Sequence, residues 1–228
     1  MSIVFALVQA LAATAPTAAA ASPADQHRLD ACIARVEQDA DAAYEDAMAW
    51  AHDEHAPEAE WCAAQAMVKQ GLRDLAPGGH GPHRLEQAAN KFEMLAANQS
   101  WPQDNRIDAY SQAGNVWLLA HNGAKARAAL DHAARLADNH PDILIDRARA
   151  YAMLEDWPHA EEDLSAALDK RPNDALALML RATTRIHRNA FALAVKDAED
   201  AVRLDPKNID ALLVLGQSRE ALRTGHAP

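Results

Sequence analysis

Eleven histidines are the residues of this 228-residue chain best suited to chemistry, and two pairs of them stand three positions apart. These are His52-Asp53-Glu54-His55 and His80-Gly81-Pro82-His83. A zinc protease needs the order His-Glu-x-x-His, which sets two ligands one helical turn apart around a general base, and neither segment has it. A structural zinc site takes four nitrogen or sulfur ligands, more than either segment supplies. Both pairs fall where helical patterns end, in positions that water solvates, so the sequence assigns no metal ligand. Ser111, Ser165 and Ser218 lie within helical patterns, and none sits in a G-x-S-x-G elbow. There is no phosphate-binding glycine loop and no dinucleotide fingerprint. We therefore expect no catalytic residue, no cofactor and no metal.

Cysteine chemistry is limited to Cys32 and Cys62. A disulfide between them would stabilise the fold by roughly 3–4 kcal/mol on the loop-entropy argument, and export to an oxidising compartment would allow it. The other reading is two small buried residues on adjacent helices. Residues 1–22 bear on that choice. Ile3 to Ala13 is an apolar run of signal-peptide length followed by small residues, although the positive charge that usually precedes such a run is missing. We expect a signal peptide or a disordered leader here, and hence the periplasm or secretion, with the cytoplasm as the alternative. The run is too short to cross a bilayer as a helix, so no stable membrane insertion is expected. The formal net charge of -11 sets the average field against a phosphate backbone, which argues against nucleic acid as a partner.

What positions these residues is a helical scaffold. Hydrophobic residues make up 50% of the chain, much of that share alanine, and glycine is scarce. Alanine is the strongest helix former and lets helices approach closely, so an all-α protein is expected. Cut at intervals of 34, the C-terminal half aligns without a gap as 107–140, 141–174 and 175–208, with a shorter piece at 209–223. The eighth column holds Gly114, Ala148, Ala182 and Gly216, all small. The fourth holds Tyr110, Leu144, Leu178 and Leu212, all large. Alanines recur in the twentieth column at 126, 160 and 194, and in the twenty-seventh at 133, 167 and 201. Each block is thus two helices whose small residues face one another, with turns at HNG, LED and HRN. Pro158 falls in a first helical turn, where its missing N–H costs nothing, and Asp156 can cap that turn. Trp157, in the column of Phe191, can cover the apolar seam of its hairpin.

This pattern resembles the tetratricopeptide repeat, a helix-turn-helix unit of 34 residues. The resemblance is strong over 107–223. Trp117 and Tyr151 match the aromatic at the eleventh position and Arg185 departs from it. Leu130, Leu164 and Ala198 are smaller than the aromatic usual at the twenty-fourth. Pro172 and Pro206 match near position thirty-two, where Asp138 departs. Residues 27–106 repeat the spacing only loosely, at Ala40, Tyr44 and Ala47 and again at Ala88, Phe92 and Leu95. We read 27–52 as an N-terminal helix or partial repeat, 58–98 as a degenerate repeat with a Gly/Pro/His loop at 77–83, and 209–223 as a capping helix wetted by Gln217, Arg219, Glu220 and Arg223. The resemblance implies an α-solenoid of antiparallel helix pairs, because one hairpin cannot bury its own stripe and stacked neighbours can.

In the family, the first helices of successive repeats line a concave groove. Carried over by column, this implies a polar ladder of Asn115, Arg149, Thr183 and Gln217 flanked by Met153, Met179, Ile186 and Leu213, with Leu176 and His187 among the facing positions. Such a groove would take a peptide or partner protein, the ladder making hydrogen bonds and the flank burying side chains. Arg149 either meets a partner carboxylate or pairs with Asp142 or Asp146 in its own stack. The lysine-and-asparagine clamp that some members use on a terminal carboxylate is matched only at Asn115, since Ser111 replaces the lysine. The competing reading is a structural array that self-associates as a homo-oligomer or closes on its own front half. An enzyme or metal-binding accessory protein is a third and weaker one.

Overall fold

The computed structural model describes residues 22–75 and 79–227. Among these every regular element is an α-helix. They are α1 (Pro23–Gln38), α2 (Ala40–Glu54), α3 (Pro57–Arg73), α4 (Gly81–Ala97), α5 (Gln103–Leu119), α6 (Gly123–Leu136), α7 (Pro141–Met153), α8 (Trp157–Lys170), α9 (Ala175–His187), α10 (Phe191–Leu204) and α11 (Ile209–Thr224). The chain divides into two compact units, Met1–Ala137 and Asp138–Pro228. In each unit successive helices pack as antiparallel pairs, and the pairs stack in chain order as in an α-solenoid.

In the second unit the starts of α7, α9 and α11 fall 34 residues apart, as do those of α8 and α10. The register is set by the turns. Glu155 and Asn189 take the left-handed conformation at φ 58° and 59°. The next residue then returns a hydrogen bond to the first helix, from Asp156 N–H to Tyr151 C=O at 2.9 Å and from Ala190 N–H to Arg185 C=O at 2.8 Å. This bond closes a helix C-terminus and reverses the chain within three residues. The α5–α6 turn is built alike, with His121 at φ 56° and Asn122 N–H bonded to Trp117 C=O at 2.9 Å. The following helices start on side-chain caps: Asp156, Asp174 and Asn208 accept from the N–H groups of His159, Ala177 and Ala211. The core of this unit joins Leu144 and Ala148 of α7 to Ala160, Leu164 and Ala167 of α8, Ala177 and Leu178 of α9, Ala201 of α10 and Ala211 of α11.

The first unit is less regular and carries four of the five tryptophans. Trp61 of α3 meets Phe92 of α4 edge-on at 5.1 Å and Trp101 at 5.9 Å. Gly114 of α5 is needed for close approach, because a Cβ there would stand 2.4 Å from Leu130 Cγ of α6. Cys32 of α1 and Cys62 of α3 are joined as a disulfide with Cα atoms 6.2 Å apart.

Three expectations need correction and one alternative is settled. Of the two readings of 27–52, a single helix or a partial repeat, the structure has a helix pair, α1 and α2, because Asp39 leaves helical geometry at φ -149° and caps α2 by accepting from Ala42 N–H at 3.0 Å. The loop expected at 77–83 is shorter, since Pro82 stands in the first turn of α4, where its lost donor is harmless; residues 76–78 lie outside the described set. Helix α5 begins at Gln103 rather than 107, directly after Pro102. The outer side of α11 is not simply polar, because Ile209 and Leu212 are exposed beside the charged residues. The leader expected over 1–22 lies outside the described residues except for Ser22, whose hydroxyl caps α1 by accepting from Asp25 N–H.

Candidate functional site: the first-helix face of the second unit

The site is built on α7, α9 and α11, which lie next to one another in that order and are backed by α8 and α10. Ion pairs tie α7 and α9 each to its own second helix. Arg147 of α7 grips Asp163 of α8 with two bonds, Nε–Oδ2 at 2.8 Å and Nη2–Oδ1 at 2.7 Å. Arg181 of α9 repeats the arrangement on Asp197 of α10 at 2.8 and 3.0 Å. Arg185 adds bonds to Asp197 at 2.6 Å and to Glu161 of α8 at 2.8 Å, and Arg188 also reaches Glu161. Both aspartates are buried. Two-pronged guanidinium–carboxylate contacts of this kind fix geometry as well as energy. They also explain why Arg185 can stand where the repeat usually carries an aromatic. Although Glu161 loses solvent, the two arginines hold its carboxyl below the usual range.

Of the eight groove residues expected from sequence, Asn115 lies half-buried on α5 in the first unit and the other seven lie on α7, α9 and α11. Met179 and Ile186 are not open to a partner. They are 6% and 3% exposed, Met179 in the α7–α11 core and Ile186 against Phe191, Ala194 and Ala221. Neighbouring helices consume that side of α9, and the stripe that stays open is rotated from it. Thr183 is half-buried with its hydroxyl donating to Met179 C=O at 3.1 Å. Arg149 pairs with Asp146 at 2.8 Å on its own helix, so its charge is already met. Met153, Leu176, His187, Leu213 and Gln217 are exposed. The open face therefore runs from Met153 on α7 across Leu176, Thr183 and His187 on α9 to Leu213 and Gln217 on α11. It can bury apolar side chains and form hydrogen bonds.

His187 stacks flat on Trp157 of α8, ring centroids 4.0 Å apart and planes 4° from parallel. Trp157 thus ties its hairpin to the next repeat rather than covering its own seam. Loss of solvent pulls the His187 pKa below its usual value, against the pull of Glu155. A flat imidazole on the same helix as Thr183 suits a partner's aliphatic or aromatic group.

Sequence reasoning missed the ion-pair columns. The signal is present, since Arg147 and Arg181, and Asp163 and Asp197, recur at the period of 34 with a constant spacing of 16 between arginine and aspartate.

Other chemically capable groups in the first unit are dispersed. His52 and His55 at the end of α2, and His80 and His83 at the start of α4, are all exposed. Among the described residues no group of three or more His, Cys, Asp or Glu gathers as a metal site, and no helix is long and apolar enough to cross a membrane. A cleft of about 400 Å³ is lined by Asp25, Glu54, His55, Glu58, Asn98 and Trp101 among others. On α5, burial and then the Asp104 charge push the Asp108 carboxyl up to about 6.

No family model matches the chain. Over 78 residues it is 36% identical to sperm-associated antigen 1 of Rattus norvegicus, a match that spans 34% of this chain and 9% of that protein. The chain thus covers about a tenth of the length of the curated relatives it matches. Among solved structures it is similar to YrrB, a TPR protein with an unusual peptide-binding site, with a TM-score of 0.62 at 17% identity over 83% of this chain and 88% of that one. It is also similar to TTC0263, a TPR protein of Thermus thermophilus, with a TM-score of 0.59 at 17% identity over 86% of this chain and 99% of that one.

Proposed function

We propose that this chain, a tetratricopeptide-repeat protein in its 34-residue columns and in its fold, is a binding scaffold without catalysis that holds a peptide or partner-protein segment on the open face of α7, α9 and α11. One observation carries the reading: three first helices stand in order and leave Met153, Leu176, His187, Leu213 and Gln217 to solvent while buried ion pairs lock α7 and α9 to the helices behind them. Rigid support under a mixed apolar and polar face lowers the ordering cost of binding. YrrB, similar in fold, has a peptide-binding site, which supports the same use of this scaffold. An extended or helical segment with apolar anchors and few charges fits the face best. Arg149 contributes shape and hydrogen bonding there, its charge being satisfied by Asp146.

The test is selection of a displayed random-peptide library on the whole chain, with counter-selection on a Met153→Glu/Leu213→Glu variant. Both residues are exposed, so the variant keeps its helical content. Enriched peptides should bind the unaltered chain and lose at least about tenfold in affinity for the variant, a change of about 1.4 kcal/mol. Equal binding to both would remove this face from the account.

We further place the protein outside the cytoplasm, on the apolar run at residues 3–13 and a disulfide joining α1 to α3. Fusing residues 1–30 to a reporter active only after export tests this, and a silent reporter overturns it.

A further inference from the structure

The cleft of the first unit lies among the starts of α1 and α3, the end of α2 and the turn between α4 and α5. Asp25 comes from the first turn of α1, Glu54 from the last turn of α2 and Glu58 from the first turn of α3. Asn98, Ser100 and Trp101 supply the α4–α5 turn. A volume of about 400 Å³ is that of a small-molecule site rather than of a groove for a folded partner.

Two of the lining residues are buried with polar groups that nothing meets. Glu58 is 5% exposed, and no hydrogen bond or ion pair reaches its carboxylate. The N-terminus of α3 favours a negative charge there, but Ala56 starts that helix without a side-chain cap. Cations on the adjoining helices are engaged elsewhere, Arg28 with Glu54 at 2.8 Å and Lys91 with Glu60. Asp25, half-buried on the same cleft, accepts from the Ser22 hydroxyl at 2.7 Å, a neutral donor that leaves its charge uncompensated. Trp101 is also 5% exposed, and its indole N–H has no acceptor. An unpartnered buried carboxylate and an unpartnered buried N–H are each unfavourable, and one molecule that brings a cation and an acceptor relieves both.

The cleft also limits what that molecule is. Asp25, Glu54 and Glu58 share it, so an acceptor that is itself a carboxylate would be repelled, whereas a hydroxyl or carbonyl oxygen would not. A metal ion needs its ligands drawn together, and among the described residues no three acidic, histidine or cysteine side chains gather in that way.

We infer that this cleft is a binding site for a small organic ammonium ion that also carries a neutral oxygen acceptor, as an amino alcohol does. The ammonium group meets Glu58 and Asp25, and the oxygen accepts from Trp101 Nε1–H. The site belongs to the first unit and is independent of the face proposed on the second.

The probe is 4-aminobutan-1-ol, titrated into the whole chain to millimolar concentration and followed by the indole N–H resonance of Trp101, which Trp101→Phe identifies by its loss. Saturable binding with a shift of that resonance is expected. Glu58→Gln, which keeps the shape and removes the charge, should weaken it at least about tenfold, with helical content unchanged. Asp25→Asn should weaken it less, and Met153→Glu in the second unit should leave it as it is. 1,4-Butanediol, which lacks the charge, and butylamine, which lacks the oxygen, should both bind worse. Absence of saturable binding, binding that Glu58→Gln leaves unaltered, or equal binding of 1,4-butanediol would overturn the inference. Equal binding of butylamine would overturn it as well, because a bare ammonium would then suffice and a lysine side chain of a peptide would serve.

Discussion

Asp163→Ala is the sharpest perturbation of the scaffold under the open face. The carboxylate is 8% exposed and receives two bonds from Arg147, itself 18% exposed in its side chain. Removing it takes both of those bonds from a guanidinium held in a poorly solvated hairpin. Breaking a buried pair from one side costs about 3–5 kcal/mol, and the partial exposure of Arg147 places this case near about 3 kcal/mol. With a urea slope of ~1.5 kcal/mol per molar, the midpoint should fall by about 2 M. The first repeat supplies the control, because it packs Ala113 against Ala129 in the same two columns, both buried. Arg147→Ala/Asp163→Ala removes both charges of the pair together, and should be more stable than Asp163→Ala by at least about 1 kcal/mol. The assay is urea unfolding at pH 7 of both single variants, the double variant and the unaltered chain, followed by helical circular dichroism. A loss below about 0.5 kcal/mol for Asp163→Ala, or a double variant less stable than the single, would refute the view that this pair fixes the hairpin.

Other outcomes follow from the same geometry. The Asp108 carboxyl, raised from 3.8 to about 6, binds its proton more tightly in the folded chain. Its charge thus opposes folding above pH 6, and stability rises as pH falls from about 6 towards 4. Asp108→Asn should gain about 1 kcal/mol at pH 7, allowing for solvent screening, and should remove that pH slope in thermal unfolding. His121→Gly, at φ 56° in the α5–α6 turn, should gain up to about 1 kcal/mol by relieving a left-handed non-glycine residue, read by denaturant midpoint. Cys32→Ser/Cys62→Ser should lose roughly 3–4 kcal/mol, since the bond spans 30 residues of chain, and reduction of the unaltered protein should reproduce the loss.

The back half of the fold was legible because its signal is periodic. Columns four, eight, twenty and twenty-seven need only residue size, and size can be read from letters. The left-handed turn residues His121, Glu155 and Asn189 share a column but not a side chain, so no letter announces them. The front half was read less well for the same reason. Asp39 ends one helix and caps the next in a single residue, a solution that leaves no turn cluster in the sequence. At the candidate site, the column rule found the right helices but not the right side of α9. Met179 and Ile186 occupy facing positions, yet the packing of α9 against its neighbours rotates them inwards. That rotation depends on how closely alanine-rich helices approach, which spacing alone does not give. Arg149 and Asp146 sit three apart on one helix and could be paired from sequence.

The most direct test of the scaffold reading is hydrogen–deuterium exchange of the whole chain with and without a library-selected peptide at saturation. Slowed exchange should fall on α7, α9 and α11, and should vanish with Met153→Glu/Leu213→Glu. Protection confined to the first unit, or unchanged in that variant, would contradict it.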